Sequence, residues 1–459
     1  MSIFQQFPNQ THIGEIFTPE EYVKKTVRYL NKLVKPSKNV TIIDPCAGLG
    51  QFEYYLQNYF VIANEIDNDN FMYLQDNIPV DIANNVDSLK YNIPTGITAV
   101  IANPPYSGHI NNKKAKRSEM WMQFIEKYFL NSNIPLALFI VPCKWMTNSK
   151  LYTTLAKYIY FVEILDSSKF LLKKSKWSNK SGISARIMSG TCLLILSKTC
   201  PEKFILVREG IAETIYKSDM INILPVNLQH DTITACKYIN KFVELTSKFG
   251  CILDRFMSQY HFESHSGLNH FELHSSSNHF ELHSDLNHEL HSDLNHFEMH
   301  NELTTSNEIT ECSIYQSRRK RLLNKKVDPS QFRINSHFND YKCIVATSNE
   351  CWNGYTHNFP ATVLDPKMVY TSNYIGFWGS KEECTTFKQL FQSKEFNVLL
   401  CMIKQTQNFN SNYLWCTPLV TSESMFDIFT KELNEFKDFM NAFDSEHKRS
   451  YDRSNFYDE

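Results

Sequence analysis

The sequence predicts an α/β protein with a doubly wound sheet in its N-terminal part and an α+β region in its C-terminal part. Strand-length apolar runs support the sheet, and they lie near residues 41, 61, 98, 136, 161 and 191. Segments with helical spacing of apolar residues, at 19–33 and 121–130, alternate with these runs. This alternation is typical of βαβ units, and we expect it to continue through Ser197.

Length and composition limit the class of protein. The chain of 459 residues is long enough for two domains, and its 42 % hydrophobic and 14 % aromatic content favours a well-packed protein. A net charge of −2 indicates that any nucleic-acid surface is a local patch. The 12 cysteines include no Cys-x-x-Cys pair and no signal sequence is visible, which favours a cytoplasmic protein, with a nuclear or viral compartment as open alternatives. The apolar runs have strand length, so we expect no membrane span.

A glycine turn after the run near residue 41 is the first candidate ligand site. Gly48 and Gly50 let the backbone approach a ligand where a Cβ atom would collide. Asp44 ends the preceding strand, where it could accept a hydrogen bond from an ammonium group. About 20 residues later the next apolar run ends in an acid, the offset at which a carboxylate binds ribose hydroxyls. We favour Glu65 over Asp67 for this role.

The segment Asn103-Pro104-Pro105-Tyr106 follows the apolar run that ends at Ala102. An exocyclic amine conjugated with a ring is a poor nucleophile, so a catalyst gains by accepting both of its hydrogens and directing its lone pair outward. The Asn103 side chain and the Pro104 carbonyl offer these acceptors, and the Tyr106 ring offers a face for stacking a flipped base. The pattern therefore indicates methylation of an amino group. The alternative is an ordinary turn, since Asn-Pro and Pro-Pro are common in loops.

In these motifs and their order the chain resembles adenine-specific N6 DNA methyltransferases of the restriction-modification type, which use S-adenosylmethionine. The resemblance implies a Rossmann-like methyltransferase sheet, a cofactor motif before the catalytic motif, and a C-terminal target-recognition region. It implies that Thr18 and Pro19 cover the cofactor and that Asp87 contacts its adenine, although a polar turn would also explain Asp87. The implied catalytic residues are Asn103, Pro104, Pro105 and Tyr106. The implied cofactor-binding residues are Phe17, Thr18, Pro19, Asp44, Pro45, Ala47, Gly48, Gly50, Glu65 and Asp87.

The resemblance also gives expectations for domains and partners. We predict a methyltransferase domain at 1–200, a connecting region at 201–260, an insert at 261–310 and a target-recognition region at 311–459. The implied partner is duplex DNA. We find no nuclease pattern, so cleavage would need a separate restriction endonuclease. The open alternatives are methylation of RNA adenine or of a protein glutamine, and a catalytically inactive relative that only binds DNA.

Basic stretches at 107–117, 173–180 and 318–326 could contact phosphates, and the alternative for each is a solvated surface. The stretch 372–407 resembles a recognition region, with helices expected at 381–391 and 396–403.

The most unusual segment is a histidine-rich repeat. Near-copies of Asn-His-Phe-Glu-Leu-His-Ser recur every eight or nine residues between 261 and 300. His270 and His274 have the i, i+4 spacing of helical metal ligands. Repeats this similar usually arise by expansion in a tolerant surface loop, so we predict a low-complexity insert, expected to be disordered, and no metal site.

Overall fold

The computed structural model describes residues 16–106, 119–166, 169–172, 190–219, 223–225, 231–257, 312–315, 317–318, 321–322, 325–327, 337–346, 361–370, 374–403 and 414–443. Contacts divide the chain into two compact units, Met1–Cys236 and Lys237–Glu459. The histidine-rich repeat and the basic stretches at 107–117 and 173–180 lie outside the described residues. Within the described part of the chain, no helix is long and apolar enough to cross a membrane.

The N-terminal unit alternates strands and helices along most of its length. Its strands are β1 (Ile16–Phe17), β2 (Thr41–Asp44), β3 (Phe60–Glu65), β4 (Ile82–Asn85), β5 (Ile97–Ala102), β6 (Leu136–Pro142), β7 (Ile159–Leu165), β8 (Leu171–Leu172), β9 (Thr191–Ser197), β10 (Lys203–Arg208) and β11 (Ile211–Tyr216). Its helices are α1 (Glu20–Leu33), α2 (Asn68–Asn77), α3 (Met120–Ile125), α4 (Lys144–Thr147) and α5 (Ser149–Ala156). A π-helix at Glu126–Leu130 continues α3, and α6 (Thr232–Phe249) crosses the boundary between the units.

A nine-stranded sheet in the order β11-β10-β7-β9-β6-β5-β2-β3-β4 organises this unit. Strands β2 to β6 are parallel, and counted along the chain their spatial order is 3-2-1-4-5. This is the doubly wound, Rossmann-like arrangement, so the predicted fold class is confirmed. The order reverses between β2 and β5, and ligands of such sheets bind beyond the carboxyl ends of the strands at this switch point.

The βαβ alternation ends earlier than the sequence predicts. Strand β9 lies between β6 and β7 and is antiparallel to both. The sheet also continues past residue 200, because β10 pairs with β7 and β11 pairs with β10. A buried apolar run has no feature that specifies the direction of its strand, so β9 could not be distinguished from a parallel strand.

Helices cover both faces of the sheet and create two apolar layers. Along β5, Val100 and Ala102 belong to one layer, whereas Ala99 and Ile101 belong to the other. The first layer includes α3, the π-helix and α5, and the second includes α1. Because both faces are buried, the strands are continuous apolar runs without polar alternation.

Arg208 attaches the β10–β11 hairpin to the start of α6. Its side chain is buried and donates to Thr232 Oγ1 at 2.7 Å and to Glu213 Oε2 at 3.1 Å. Burial lowers the Arg208 pKa to about 10, and Glu213 opposes this shift. The hairpin is therefore a bonded part of the N-terminal unit.

The C-terminal unit combines small sheets with helices. Its strands are β12 (Phe256–Met257), β13 (Cys312–Tyr315), β14 (Ser317–Arg318), β15 (Arg321–Leu322), β16 (Lys325–Val327), β17 (Tyr341–Ala346), β18 (Ala361–Leu364), β19 (Met368–Tyr370) and β20 (Tyr374–Gly379). Its later helices are α7 (Lys381–Gln392), α8 (Lys394–Ile403) and α9 (Glu423–Leu433). Strands β12, β20, β17 and β18 form an antiparallel sheet, and a Ser380–Glu383 capping box starts α7. Both helices predicted here are confirmed.

Candidate active site

The predicted motifs meet at the carboxyl edge of the parallel strands. Asp44 is the last residue of β2, Glu65 is the last residue of β3, and Asn103 follows β5. Because these strands are adjacent and parallel, their ends face the crevice at the switch point. Strand β4 ends at Asn85 on the same edge, and Asp87 follows it.

Glycine suits the two positions of the turn after β2 for different structural reasons. Both have a left-handed backbone, with φ of +55° at Gly48 and +80° at Gly50. A Cβ atom on Gly48 would meet nothing within 4 Å, whereas one on Gly50 would lie 2.6 Å from Leu74 Cδ1 and 2.7 Å from Ile78 Cγ1. Gly48 thus borders open space that a ligand could enter, and Gly50 permits close packing of the turn against α2.

Pro45 and Ala47 are buried in this turn, and the Ala47 backbone N–H donates to the Asn64 carbonyl at 3.0 Å. That bond ties the turn to β3. Phe17 lies in β1, which pairs with β8, and Pro19 begins α1, where its carbonyl accepts the N–H groups of Tyr22 and Val23.

The Glu65 carboxylate is held against the glycine turn. Glu65 is 7 % exposed, and its Oε2 accepts the Gly48 N–H at 2.7 Å while Oε1 accepts the Asp67 N–H at 2.7 Å. The Asp67 side chain instead caps α2 by accepting the N–H groups of Asp69 and Asn70. Helix capping thus explains Asp67, and the role of Glu65 as a ligand-binding acid stays a prediction.

Asp44 lies completely buried beside a second acid, Glu53. Asp44 Oδ1 accepts the Cys46 N–H at 2.8 Å. Burial raises the Asp44 pKa to about 7, despite the Cys46 and Glu53 hydrogen bonds that lower it, and Glu65 adds a smaller increase. Burial followed by the Asp44 charge raises the Glu53 pKa well above its ordinary range. A hydrogen bond between the two carboxyl groups requires that one of them carries a proton.

Thr18 joins the segment before α1 to the glycine turn and to the Asn-Pro-Pro-Tyr segment. Its backbone N–H donates to Gln51 Oε1 at 3.2 Å, and Gln51 Nε2 donates to its carbonyl at 3.0 Å. The Thr18 Oγ1 accepts a hydrogen bond from Asn103 Nδ2 at 2.9 Å. This bond fixes the orientation of the Asn103 amide, whose acceptor oxygen is directed away from Thr18.

The hydroxyl end of the Tyr106 ring is buried in the core. The ring is partly exposed and packs on the apolar layer that includes β6 and β9. Burial raises the pKa of the Tyr106 hydroxyl, which lies beside Thr191 and near Cys143 and Cys192. Pro104 is buried and Pro105 is partly exposed. A ring fixed at its tip can offer a rigid face to a planar ligand.

Asp87 lies in a polar turn that α3 and its π-helix support. Asp87 Oδ1 accepts the Leu89 N–H at 3.0 Å, and Lys90 Nζ lies 3.0 Å from Oδ2. Lys127 Nζ donates to the Leu89 carbonyl at 2.7 Å, and the Tyr128 hydroxyl donates to the Ser88 carbonyl at 2.9 Å. The turn predicted as the alternative is present, and its position on the carboxyl edge is compatible with a ligand contact.

Comparison with known proteins gives structural similarities alone, since no protein-family model and no curated protein matches the chain. One similar structure is the methyltransferase subunit of a type I restriction-modification system from Streptococcus thermophilus, at 15 % identity over 44 % of this chain and 51 % of that chain, with a TM-score of 0.34. Another is the type IIG restriction endonuclease BpuSI, at 11 % identity over 92 % of this chain and 61 % of that chain, with a TM-score of 0.37.

A third is the type IIL restriction-modification enzyme MmeI in complex with DNA, at 12 % identity over 86 % of this chain and 64 % of that chain, with a TM-score of 0.42. The chain thus spans between 51 % and 64 % of the length of these three proteins. Because the identities and TM-scores are low, the function of this chain has to be argued from its own residues.

Two residues of the site, Gln51 and Glu53, were not predicted from the sequence. Both follow Gly50, which is the last residue of this motif that the sequence analysis assigns to the cofactor site. Glu53 had a signal, because it lies between Phe52 and Leu56 in a stretch that is otherwise apolar on its buried side. Gln51 had none, since its partner is the backbone of Thr18, which is 33 residues away.

Proposed function

We propose that this protein is a DNA methyltransferase that transfers the methyl group of S-adenosylmethionine to N6 of an adenine flipped out of duplex DNA. The observation that carries the proposal is the hydrogen bond from Asn103 Nδ2 to Thr18 Oγ1 at 2.9 Å. It joins the segment predicted to cover the cofactor to the segment predicted to hold the amine. An Asn amide held this way is suited to accept a hydrogen from the target amine.

The residues present fit the proposed cofactor. S-adenosylmethionine would supply an activated methyl group next to a cationic sulfonium, an ammonium group and a ribose. Gly48 borders open space, and Asp44 and Glu65 place two acids beside the same turn. We propose that Glu65 holds the ribose, that Asp44 and the Gly48 loop face the cationic methionine end, and that Asp87 faces the adenine.

The catalytic roles follow from the chemistry of a conjugated amine. Asn103 Oδ1 and the Pro104 carbonyl accept its two hydrogens, which directs the nitrogen lone pair towards the methyl group. Tyr106 stacks on the flipped base, and packing of its buried end against the apolar layer keeps the ring in place. No ionised base is needed, because the proton can leave after the methyl group is transferred. Positioning therefore supplies most of the rate enhancement.

The C-terminal unit is proposed to recognise DNA, within the predicted target-recognition region at 311–459. The partly exposed Trp378 in this unit stacks on the His337 ring at 3.9 Å, and the Arg255 guanidinium lies 4.2 Å from its ring centroid. Cationic and aromatic groups of this kind contact nucleic acids, although Glu383 lies 3.3 Å from Arg255 and reduces the local charge. A separate restriction endonuclease remains a proposed partner.

The test is to incubate the purified protein with methyl-labelled S-adenosylmethionine and, separately, mixed-sequence duplex DNA, RNA and protein. We expect label in N6-methyladenine from DNA. Label only in RNA adenine or in glutamine would replace the proposed substrate, and cofactor binding without transfer to any substrate would favour an inactive DNA-binding relative.

Thr18→Val is expected to lower kcat by about tenfold, because the Asn103 amide loses the acceptor that orients it. The partly buried Asn103 N–H left without this acceptor should also destabilise the protein, by at most about 1 kcal/mol. Thr18→Ser is the matched control, since it keeps the hydroxyl group and should retain most of the activity. Steady-state methylation and thermal unfolding measure the two effects. Equal kcat values for Thr18→Val and the wild type would contradict the orienting role of Thr18.

A further inference from the structure

We propose that Glu53 is a second carboxyl group of the cofactor site, that it shares a proton with Asp44, and that binding of S-adenosylmethionine displaces this proton into solvent. The inference rests on the proposed function, because the ligand is the proposed cofactor. It adds a residue and a proton step that amino-group methylation does not itself require.

The position of Glu53 is unusual for a carboxyl group. It begins a short 3₁₀ turn, Glu53–Tyr55, directly after the glycine turn, and its side chain is 0 % exposed. The neighbouring Phe52 and Leu56 are buried apolar residues of the layer that α1 covers. An apolar residue here would continue that layer without the large cost of burying a charge. A carboxyl group at this position therefore indicates a specific partner.

Asp44 is that partner. Asp44 Oδ2 and both Glu53 carboxyl oxygens are buried, and in the described part of the chain no residue other than these two donates a hydrogen bond to them. A hydrogen bond between the two carboxyl groups satisfies them only when one carboxyl keeps its proton and donates it to the other. Two adjacent ionised carboxylates in a buried site would repel each other and lack solvation.

The charges around Asp44 and Glu53 strengthen the requirement that one of the two carboxyl groups keeps its proton. The other titratable groups that face the pair are the Glu65 carboxylate and the Cys46 thiol, and burial followed by the Asp44 and Glu65 charges raises the Cys46 pKa. Lysine and arginine are absent from the groups that act on the pair within the described residues. The pair thus lacks a protein cation, and a cationic ligand at the open side of Gly48 would supply one.

The pH dependence follows from these shifts. The Asp44 pKa of about 7 leaves the pair partly protonated at neutral pH. A cation favours the ionised form, so binding releases a proton and the affinity for S-adenosylmethionine should increase as pH rises from about 6 to 8. The limit is about tenfold in affinity per pH unit for each proton released. A purely structural pair would stay protonated and give a flat profile.

The stability of the apo protein should also depend on pH, but it should fall as pH rises, whereas the affinity for S-adenosylmethionine increases. A carboxyl group whose pKa is raised by folding stabilises the protein fully below its unfolded pKa, and this contribution is lost as pH rises through the folded pKa. For Asp44 the window lies between the ordinary value of 3.8 and about 7. The Tm of the apo protein should therefore have a component that falls across this window, and Asp44→Asn should remove it.

The experiment is calorimetric titration of the full chain with S-adenosylmethionine, without DNA, at pH 7 in two buffers that differ in ionisation enthalpy. We expect release of about half to one proton by the wild type. Glu53→Gln keeps a hydrogen-bond donor for Asp44 but has no proton to lose, so only the part of the proton release that comes from Asp44 should remain. Glu209→Gln, an exposed glutamate of the same unit, is the matched control and should behave like the wild type.

Binding by the wild type without proton release would overturn the inference while leaving the proposed function intact. The inference would also be overturned, with the proposed function intact, if Glu53→Gln released as many protons as the wild type. Failure of S-adenosylmethionine to bind at all would contradict the proposed function instead. The wild-type titration is decisive by itself, so the test does not depend on the folding of the variant.

Discussion

Asn103→Ala is expected to lower kcat for methylation by about 10²–10³-fold, because it removes a preorganised acceptor for the target amine. The Kd for S-adenosylmethionine should change by less than about threefold, since the proposed cofactor contacts come from other residues. Asn103 follows β5, whereas the glycine turn follows β2 and Glu65 ends β3. Single-turnover methylation together with calorimetric binding separates the two effects.

The matched control is Asn77→Ala, which truncates an exposed asparagine at the end of α2. It should retain the wild-type rate and affinity. Undiminished turnover in Asn103→Ala would rule out its proposed catalytic role. A variant that lost cofactor binding and turnover together would place Asn103 in the cofactor site instead.

Gly50→Ala is expected to destabilise the N-terminal unit by about 2–5 kcal/mol, from a left-handed backbone and from overpacking. The added Cβ atom would lie 2.6 Å from Leu74 Cδ1 and 2.7 Å from Ile78 Cγ1, so these side chains must move away from the glycine turn. Cofactor binding should weaken as well, because α2 and the glycine turn would move relative to each other. Urea unfolding with constant m-values measures the change in stability.

Gly96→Ala separates the two contributions. Gly96 has φ of +81°, close to the +80° of Gly50, but a Cβ atom there would meet nothing within 4 Å. This variant should lose only the backbone part, about 1–2 kcal/mol. If Gly50→Ala and Gly96→Ala lose the same stability, packing against α2 is not what requires Gly50.

The sequence predicted the fold where one local pattern determines the structure. Buried parallel strands are continuous apolar runs, so β2, β3, β5 and β6 could be recognised without knowing their neighbours. Strand β4, Ile82–Asn85, was missed because it is a short edge strand that includes two asparagines. The antiparallel direction of β9 was missed because direction depends on tertiary connections and not on composition.

The candidate site was predictable to the extent that its residues are close in sequence. The preference for Glu65 over Asp67 depended on an offset and stays a prediction, whereas the cap that Asp67 provides for α2 is seen only in the structure. The bonds of Thr18 to Gln51 and Asn103 join residues 33 and 85 positions apart, so no local pattern could indicate them. The Asp44–Glu53 pair was missed because the motif drew attention to glycines, while burial of Glu53 appears only in three dimensions.

The bonds of Thr18 also determine when the conformational entropy of the site is lost. Gln51 holds the Thr18 backbone through two hydrogen bonds, and the Thr18 hydroxyl holds the Asn103 amide. The rotamers of these side chains are therefore restricted when the chain folds, before any substrate arrives. An incoming base would not have to order them, so more of its binding free energy would remain available for unstacking it from the duplex.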